Sequence, residues 1–419
     1  MKKPLHKQIG HQARKVHGRV TKYLTERDTM FATLWVFIFI ITLGLIPLNL
    51  GIMNPLKLGL KDFDFNDITY SKLGKASNSN STKFDTRITI IDIGDADRGT
   101  IAMMIDKAAA LKPKVMGLDV LFYSERDQKQ DSMLNETFTR NKNLIVASQL
   151  TTHSKEFDTV ELAGNYFQTV HKYAHANFFT DTLATIRYYE PFIEDYKHTM
   201  YPAFSSAIVE EYGDKEAMEK LEHHGSHRTL INYSRPLDKY FHFTYQDLLT
   251  DQFDTSRITG KIVLFGYLAR DKNDIVDRKF TPMNERYAGK SIPDMDGIVV
   301  HANIISMALD KSYIKKVPSW MNWLLAILVC WLHMSFFIHY YLESHIWFHL
   351  AAKIAQVLSG IFFIWLGIYI YDKYRVKVDM KLSIIVIIMA VDVIYFYEAW
   401  AVWMHKKFNY RTVFKPHHH

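Results

Sequence analysis

Between Pro318 and Trp403 the chain packs three apolar segments separated by short polar joints, and it ends about sixteen residues later at His419. A fourth apolar segment, residues 30–52, lies far upstream and carries no charge. A helix rising about 1.5 Å per residue needs roughly 20 apolar residues to cross the hydrocarbon core. Residues 30–52, 318–341, 346–371 and 382–403 all reach that length. The polar stretch between the first and second spans, residues 53–317, reads as one soluble domain held by a membrane bundle. No folded module is expected beyond the last span, so an effect of the domain is expected to leave through the bundle or through another protein.

The first span reads as a retained anchor, because a signal peptide has a shorter apolar run and a small-residue cleavage site, which Gly44-Leu-Ile-Pro-Leu-Asn-Leu does not provide. Trp320, Trp323, Tyr340, Tyr341, Trp347, Trp400 and Trp403 fall where the interfaces are expected. Residues 1–29 form a basic arm, with Lys2, Lys3, Lys7, Arg14, Lys15, Arg19, Lys22 and Arg27 against Glu26 and Asp28, and the positive-inside tendency puts it in the cytoplasm. Four spans return residues 404–419, with Lys406, Lys407, Arg411 and Lys415, to the same side. The joint holding Lys373, Arg375, Lys377 and Lys381 is the one contrary count. The expected location is a bacterial inner membrane with the large domain in the periplasm. The net charge of +7 lies mostly in the two tails, which points to anionic lipid rather than nucleic acid.

The single cysteine, Cys330, lies in the second span, so the domain has no disulfide and must be stable by its own core. The closing histidines carry no weight as a metal site, and no cofactor is expected. Within the domain, residues 54–83 show no clear period and end in a Ser/Asn-rich loop composition. Arg87-Ile-Thr-Ile-Ile-Asp-Ile is a nearly continuous apolar run, as in a strand buried on both faces. A helical pattern over 96–111 and a second buried run over 114–122 complete a β-α-β unit. A helix over 131–140, a strand over 143–148, less regular strands over 185–193 and 241–245, a helix over 202–212, a strand over 260–266 and a helix over 297–309 follow. The fold class is an α/β extracytoplasmic domain with a largely parallel sheet, plus a four-helix transmembrane bundle.

In order along the chain stand Ile91-Asp-Ile-Gly-Asp, Leu111-Lys-Pro-Lys-Val-Met-Gly-Leu-Asp-Val-Leu-Phe, Thr199-Met-Tyr-Pro-Ala-Phe, Gly260-Lys-Ile-Val-Leu-Phe-Gly and Asp296-Gly-Ile-Val-Val-His-Ala-Asn. Together they resemble the CHASE extracellular sensory domain of type two over residues 87–309. The resemblance implies a sensory domain between one amino-terminal span and three consecutive spans, followed in family members by a cytoplasmic cyclase, kinase or other output module. No such module is expected after the last span here, which is the one departure from that pattern.

Ligands of open parallel sheets sit beyond the carboxyl ends of the strands. Asp92 and Asp95 follow the first strand, Asp119 ends the second, and Asp271, Asp274 and Asp277 follow the strand over 260–266, so these carboxylates are candidates to converge on a ligand. His301 on the final helix is a further candidate. Each has a plainer reading as a helix cap, a loop fixture or a hydrogen-bonded core histidine. No metal-ligand spacing, phosphate loop or serine elbow occurs, and the domain is not expected to be an enzyme.

Ionisable groups inside a span cost at least about 2.5–3.5 kcal/mol, so each needs a partner or a role. Lys353 and Glu398 fall at depths within about 3 Å of one another and are expected to pair. His333 and Gln356 share that inner third, while Asp392 lies near the midplane without an evident mate. They read as interhelical glue, a contact with another subunit, or a proton-responsive group.

The expected function is that of a sensor or receptor-like subunit. Its domain binds a ligand or an envelope partner, and its bundle relays this to a separate membrane or cytoplasmic protein. The alternatives are a structural docking subunit of a larger envelope complex with no ligand, and a transport component built around Asp392. A homo-oligomer is compatible with any of these.

Overall fold

The computed structural model describes residues 23–45, 67, 70, 83–153, 160–178, 185–195, 198–225, 227–284, 292–343 and 345–414. Most of the basic arm, the end of the first span, most of the stretch over 54–83 and the closing histidines lie outside the described residues. The chain divides into two compact units, Asn54–Ile314 and Met1–Met53 with Lys315–His419.

Four long apolar helices make up the second unit: α1 (Arg27–Leu45) and, after the domain, α8 (Ser319–Glu343), α9 (His345–Tyr374) and α10 (Lys381–Phe408). Each is long and apolar enough to cross a membrane. α8 and α10 pack most extensively, α1 lies against both, and α9 packs on α8 and α10. Small residues, Ala32, Ala326, Ala390 and Ala401, are buried in this interface with Phe337, Phe348 and Tyr397, so backbones approach closely as packing between lipid-embedded helices requires.

The domain is built on seven strands: β1 (Asp85–Asp92), β2 (Val115–Leu118), β3 (Leu144–His153), β4 (Val160–Ala163), β5 (Lys172–His175), β6 (Tyr240–Thr244) and β7 (Ile262–Gly266). Their order is β6-β1-β7-β2-β3, with β5 parallel to the first half of β3 and β4 antiparallel to its second half. Every pairing except β3 with β4 is parallel.

Helices cover both faces. α2 (Arg98–Ala110), α3 (Gln128–Arg140) and the short α6 (Tyr245–Leu249) lie on one, α4 (Phe204–Tyr212) and α7 (Gly297–Leu309) on the other, with α5 (Lys215–His224) packed on α4 and α7. Period two in the strands divides the core accordingly: Ile91, Met116, Leu118, Val263 and Phe265 face α2 and α3. The helices begin where short polar side chains satisfy free N–H groups, as Asp97 does for Thr100 and Asp127 for Gln130. Arg98 of α2 pairs with Asp131 of α3 at 2.6 Å, both buried, and lies over the Phe122 and Phe167 rings.

α7 is buried along all thirteen of its residues, as befits a helix apolar all round. It lies so close to β7 that a Cβ on Gly266 would stand 2.6 Å from the Ile298 Cβ, which only glycine permits. Asn303, buried in α7, accepts from the Ser234 and Arg235 N–H groups and donates to the Arg235 carbonyl, and so holds the chain entering β6. Ser306 donates to Asp85 at the start of β1, and beyond the helix Asp310 is bound by Arg87 and Arg235.

Candidate functional site

The carboxyl ends of β2, β3 and β5 open into a cavity of about 450 Å³, closed on the other side by the first turn of α7 and by residues 277–280. This is where parallel-sheet ligands sit, and the volume lies in the range of small-molecule sites. Asp119 follows β2 directly, and its N–H bonds the Phe265 carbonyl, so the strand pair β2–β7 fixes its Cα. Its carboxylate has no hydrogen-bond partner among the described residues. Burial, then repulsion by Asp277, push this carboxyl up to about 7, against the opposing pull of Lys279.

Asp277 and Lys279 form an ion pair of 2.9 Å, and Arg278 contacts Asp296 at 3.4 Å. Asp296 precedes α7 but caps none of its N–H groups with its side chain, and burial raises its carboxyl above the ordinary value. A Cβ on Gly297 would come within 2.6 Å of an Asp277 carboxylate oxygen, so the glycine is what lets this loop close on the helix.

His301, one turn into α7, lines the cavity with its ring 4.5 Å from Phe178 and edge-on to Phe204. Its Nδ1 is 2.9 Å from Ser205 Oγ, while its buried Nε2 has no partner among the described residues. Burial pushes the imidazole down to about 3, so the ring is neutral. Ser205 and His301 resemble a nucleophile and base, but Ser205 does not line the cavity and no carboxylate orients the ring, so the bond fixes the imidazole on α4. Ser148, at the carboxyl end of the β3–β5 pairing, is fully buried and lines the cavity, and its Oγ has no partner among the described residues.

The structure therefore divides the expected carboxylate group. Asp119 and Asp277 meet at the cavity with His301. The other four are spent on loops. Asp92 accepts from the Gly94 and Leu268 N–H groups, tying the exits of β1 and β7. Exposed Asp95 pairs with Arg270. Asp271 accepts from Asn273 and Asp274 N–H groups, and Asp274 from the Tyr267 hydroxyl and the Arg270 N–H. No group of three potential metal ligands occurs among the described residues. Ser148 and Lys279 escaped the sequence reading, although a serine closing a buried apolar strand is the kind of signal that marks such an edge.

Among the membrane helices the expected Lys353–Glu398 pair is corrected. Lys353 is exposed on α9 and has no ion pair among the described residues, whereas Glu398 accepts a hydrogen bond from the Tyr341 hydroxyl of α8. Depth matched in the sequence, but Lys353 is exposed and the Glu398 carboxylate is taken by Tyr341. His333 bonds the Val329 carbonyl and Ser359 Oγ, each at 2.8 Å, and Gln356 donates to the Ile387 and Ile388 carbonyls. Both join neighbouring helices, α8 to α9 and α9 to α10. Asp392 is exposed on α10 with no hydrogen bond or ion pair among the described residues.

No curated protein and no solved structure matches this chain. The sequence profile of the CHASE2 domain matches residues 35–337, well over half of its length. With a parallel α/β domain, one apolar helix before it and three after it, the chain belongs to the CHASE2 family and is a multi-pass membrane protein with an extracytoplasmic CHASE2 sensory domain.

Proposed function

We propose that this protein is an inner-membrane sensor subunit whose domain takes a small polar ligand at the carboxyl edge of its sheet and relays its occupancy to a separate protein. The cavity carries this reading. Its wall holds a carboxylate, Asp119, and two buried polar atoms, Ser148 Oγ and His301 Nε2, that have no hydrogen-bond partner among the described residues. Leaving such a group unmet costs about 1–3 kcal/mol, a cost a bound ligand removes. α7 supplies the relay, since Gly297 and His301 line the cavity and only nine residues separate its last residue, Leu309, from the first of α8, Ser319. The domain binds without turning its ligand over.

The basic arm and the His405-Lys406-Lys407 end of α10 support a cytoplasmic position for both chain ends, with the domain in the periplasm. Asp392 and Lys353, exposed on apolar helices, support a membrane partner that meets them, because neither charge has an ion pair among the described residues. The test uses the full chain in nanodiscs. A small-molecule fraction of the host's envelope should raise the thermal midpoint of the wild type and not that of Ser148→Phe, which fills the cavity. Equal stabilisation of both proteins, or of neither, favours a docking platform with no ligand.

A further inference from the structure

The cavity's charges decide which ligand chemistry it accepts. Two ion pairs, Asp277–Lys279 and Arg278–Asp296, neutralise themselves. Among the described residues Asp119 remains as one carboxylate with neither a counter-ion in contact nor a hydrogen-bond donor. An anionic ligand would meet this group at close quarters without a free cation to receive it, since both basic side chains at the wall are already engaged. A metal ion would need further oxygen or nitrogen donors, and no cluster of three exists among the described residues. Phe178 and Phe280 add aromatic surface beside the carboxylate, a setting that suits an organic cation with an apolar body. Ser148 Oγ and His301 Nε2, both more than nine-tenths buried, offer hydrogen bonds to a second polar group on the same molecule.

We infer that the ligand of this cavity is a small organic ammonium compound, held through its charged nitrogen by Asp119 and through a hydroxyl or carbonyl by Ser148 and His301. The inference rests on the sensor reading above and adds the class of ligand. A single charge-assisted contact made away from bulk water discriminates strongly, because an isostere lacking the ammonium leaves the carboxylate buried and unmet.

The experiment is calorimetric titration of the full chain in nanodiscs with two sets of probes. Tyramine, agmatine and ethanolamine carry the ammonium. Tyrosol and 4-hydroxyphenylacetate replace the ammonium of tyramine with a neutral and an anionic group. At least one ammonium probe should bind at millimolar concentration or below, and at least tenfold more tightly than its neutral or anionic isostere. Asp119→Asn should lose at least tenfold of that affinity, and Ser148→Ala a smaller factor, with the thermal midpoint of each variant confirming that it is folded. Tighter binding of 4-hydroxyphenylacetate or tyrosol than of tyramine, reduced by Ser148→Phe, overturns the ammonium inference and leaves the sensor reading standing. Binding of an ammonium probe that Asp119→Asn does not weaken also overturns it. Failure of every probe, together with failure of the envelope fraction to stabilise the wild type, removes both.

Discussion

The Tyr397 hydroxyl donates a 2.6 Å hydrogen bond to the carboxylate of Asp28, 369 residues away in the chain. Asp28 is 2% exposed and also accepts from Thr412 Oγ1 at 3.1 Å and from the Val413 N–H at 2.6 Å. One carboxylate thus joins the start of α1, the middle of α10 and the segment after α10. By sequence it counted only as a stray acid in a basic arm. Hydrogen bonds to a charged group are worth about 1.5–3 kcal/mol each. Tyr397→Phe should lower the stability of the detergent-solubilised protein by about that amount, and Asp28→Asn by at least as much. In the double variant the losses should be less than additive, because both substitutions remove the same bond. Fully additive losses, read from unfolding in mixed detergent, would show that the two groups act separately.

A second pair of substitutions separates the observed Glu398 contact from the expected one. Tyr341 lies against Glu398, while Lys353 points outward. Lys353→Met should leave folded yield unchanged, whereas Tyr341→Phe and Glu398→Leu should each reduce it, since each removes one end of the same hydrogen bond. Rescue of Glu398→Leu by Lys353→Met would restore the ion-pair expectation.

Legibility of the fold tracked burial. β1 and β7 lie in the sheet interior with helices on both faces, so Ile88, Ile90 and Ile91, broken only by Thr89, and the unbroken apolar run Ile262–Gly266 announce strands. β5, Lys172-Tyr-Ala-His, is four residues long, and its two half-exposed residues hide its period. α5, Lys215–His224, is mostly charged and buries little beyond Ala217 and Leu221, so it too passed unseen. At the site, the expectation that candidate groups gather at the carboxyl edge singled out Asp119, and the final helix His301, and both line the cavity. It offered no means of separating Asp119 from Asp92 and Asp274, whose carboxylates are consumed by N–H groups of nearby loops. That difference is set by backbone geometry, to which residue identity is blind.

The relay should depend on continuity between α7 and α8. The end of α7 is fastened within its own unit, where Asp310 is held by Arg87 and Arg235 and Lys311 by Glu216. Lys315 N–H and Val317 N–H in turn bond the Arg375 and Lys377 carbonyls within the membrane unit. Ten Gly/Ser residues inserted between Ile314 and Lys315 therefore spare both sets of bonds and lengthen only the chain between them. A spin label at Asn322 should report ligand binding in the wild type and fall silent in the insertion variant, with affinity unchanged. An undiminished response would mean that occupancy does not travel through this connection.

The pH dependence of stability isolates Asp119. Its carboxyl rises from 3.8 to about 7 on folding, through burial first and the Asp277 charge second. Between those values the folded protein holds a proton that the unfolded chain has released, so this group's contribution falls as pH rises through that window, and the full cost is present above about 7. Burial moves His301 and His175 the other way, from 6.5 to about 3 and about 4, and their contribution is lost as pH falls below 6.5. In the wild type the two trends partly offset. Asp119→Asn removes the first and keeps the second. The variant's thermal midpoint should match the wild type near pH 4, exceed it increasingly toward pH 7, and hold a constant lead above pH 8. Where a bound ammonium compound satisfies the carboxylate, that lead should shrink or reverse. A difference independent of pH, with and without tyramine, would show that the Asp119 carboxyl is neither desolvated nor available to a cation.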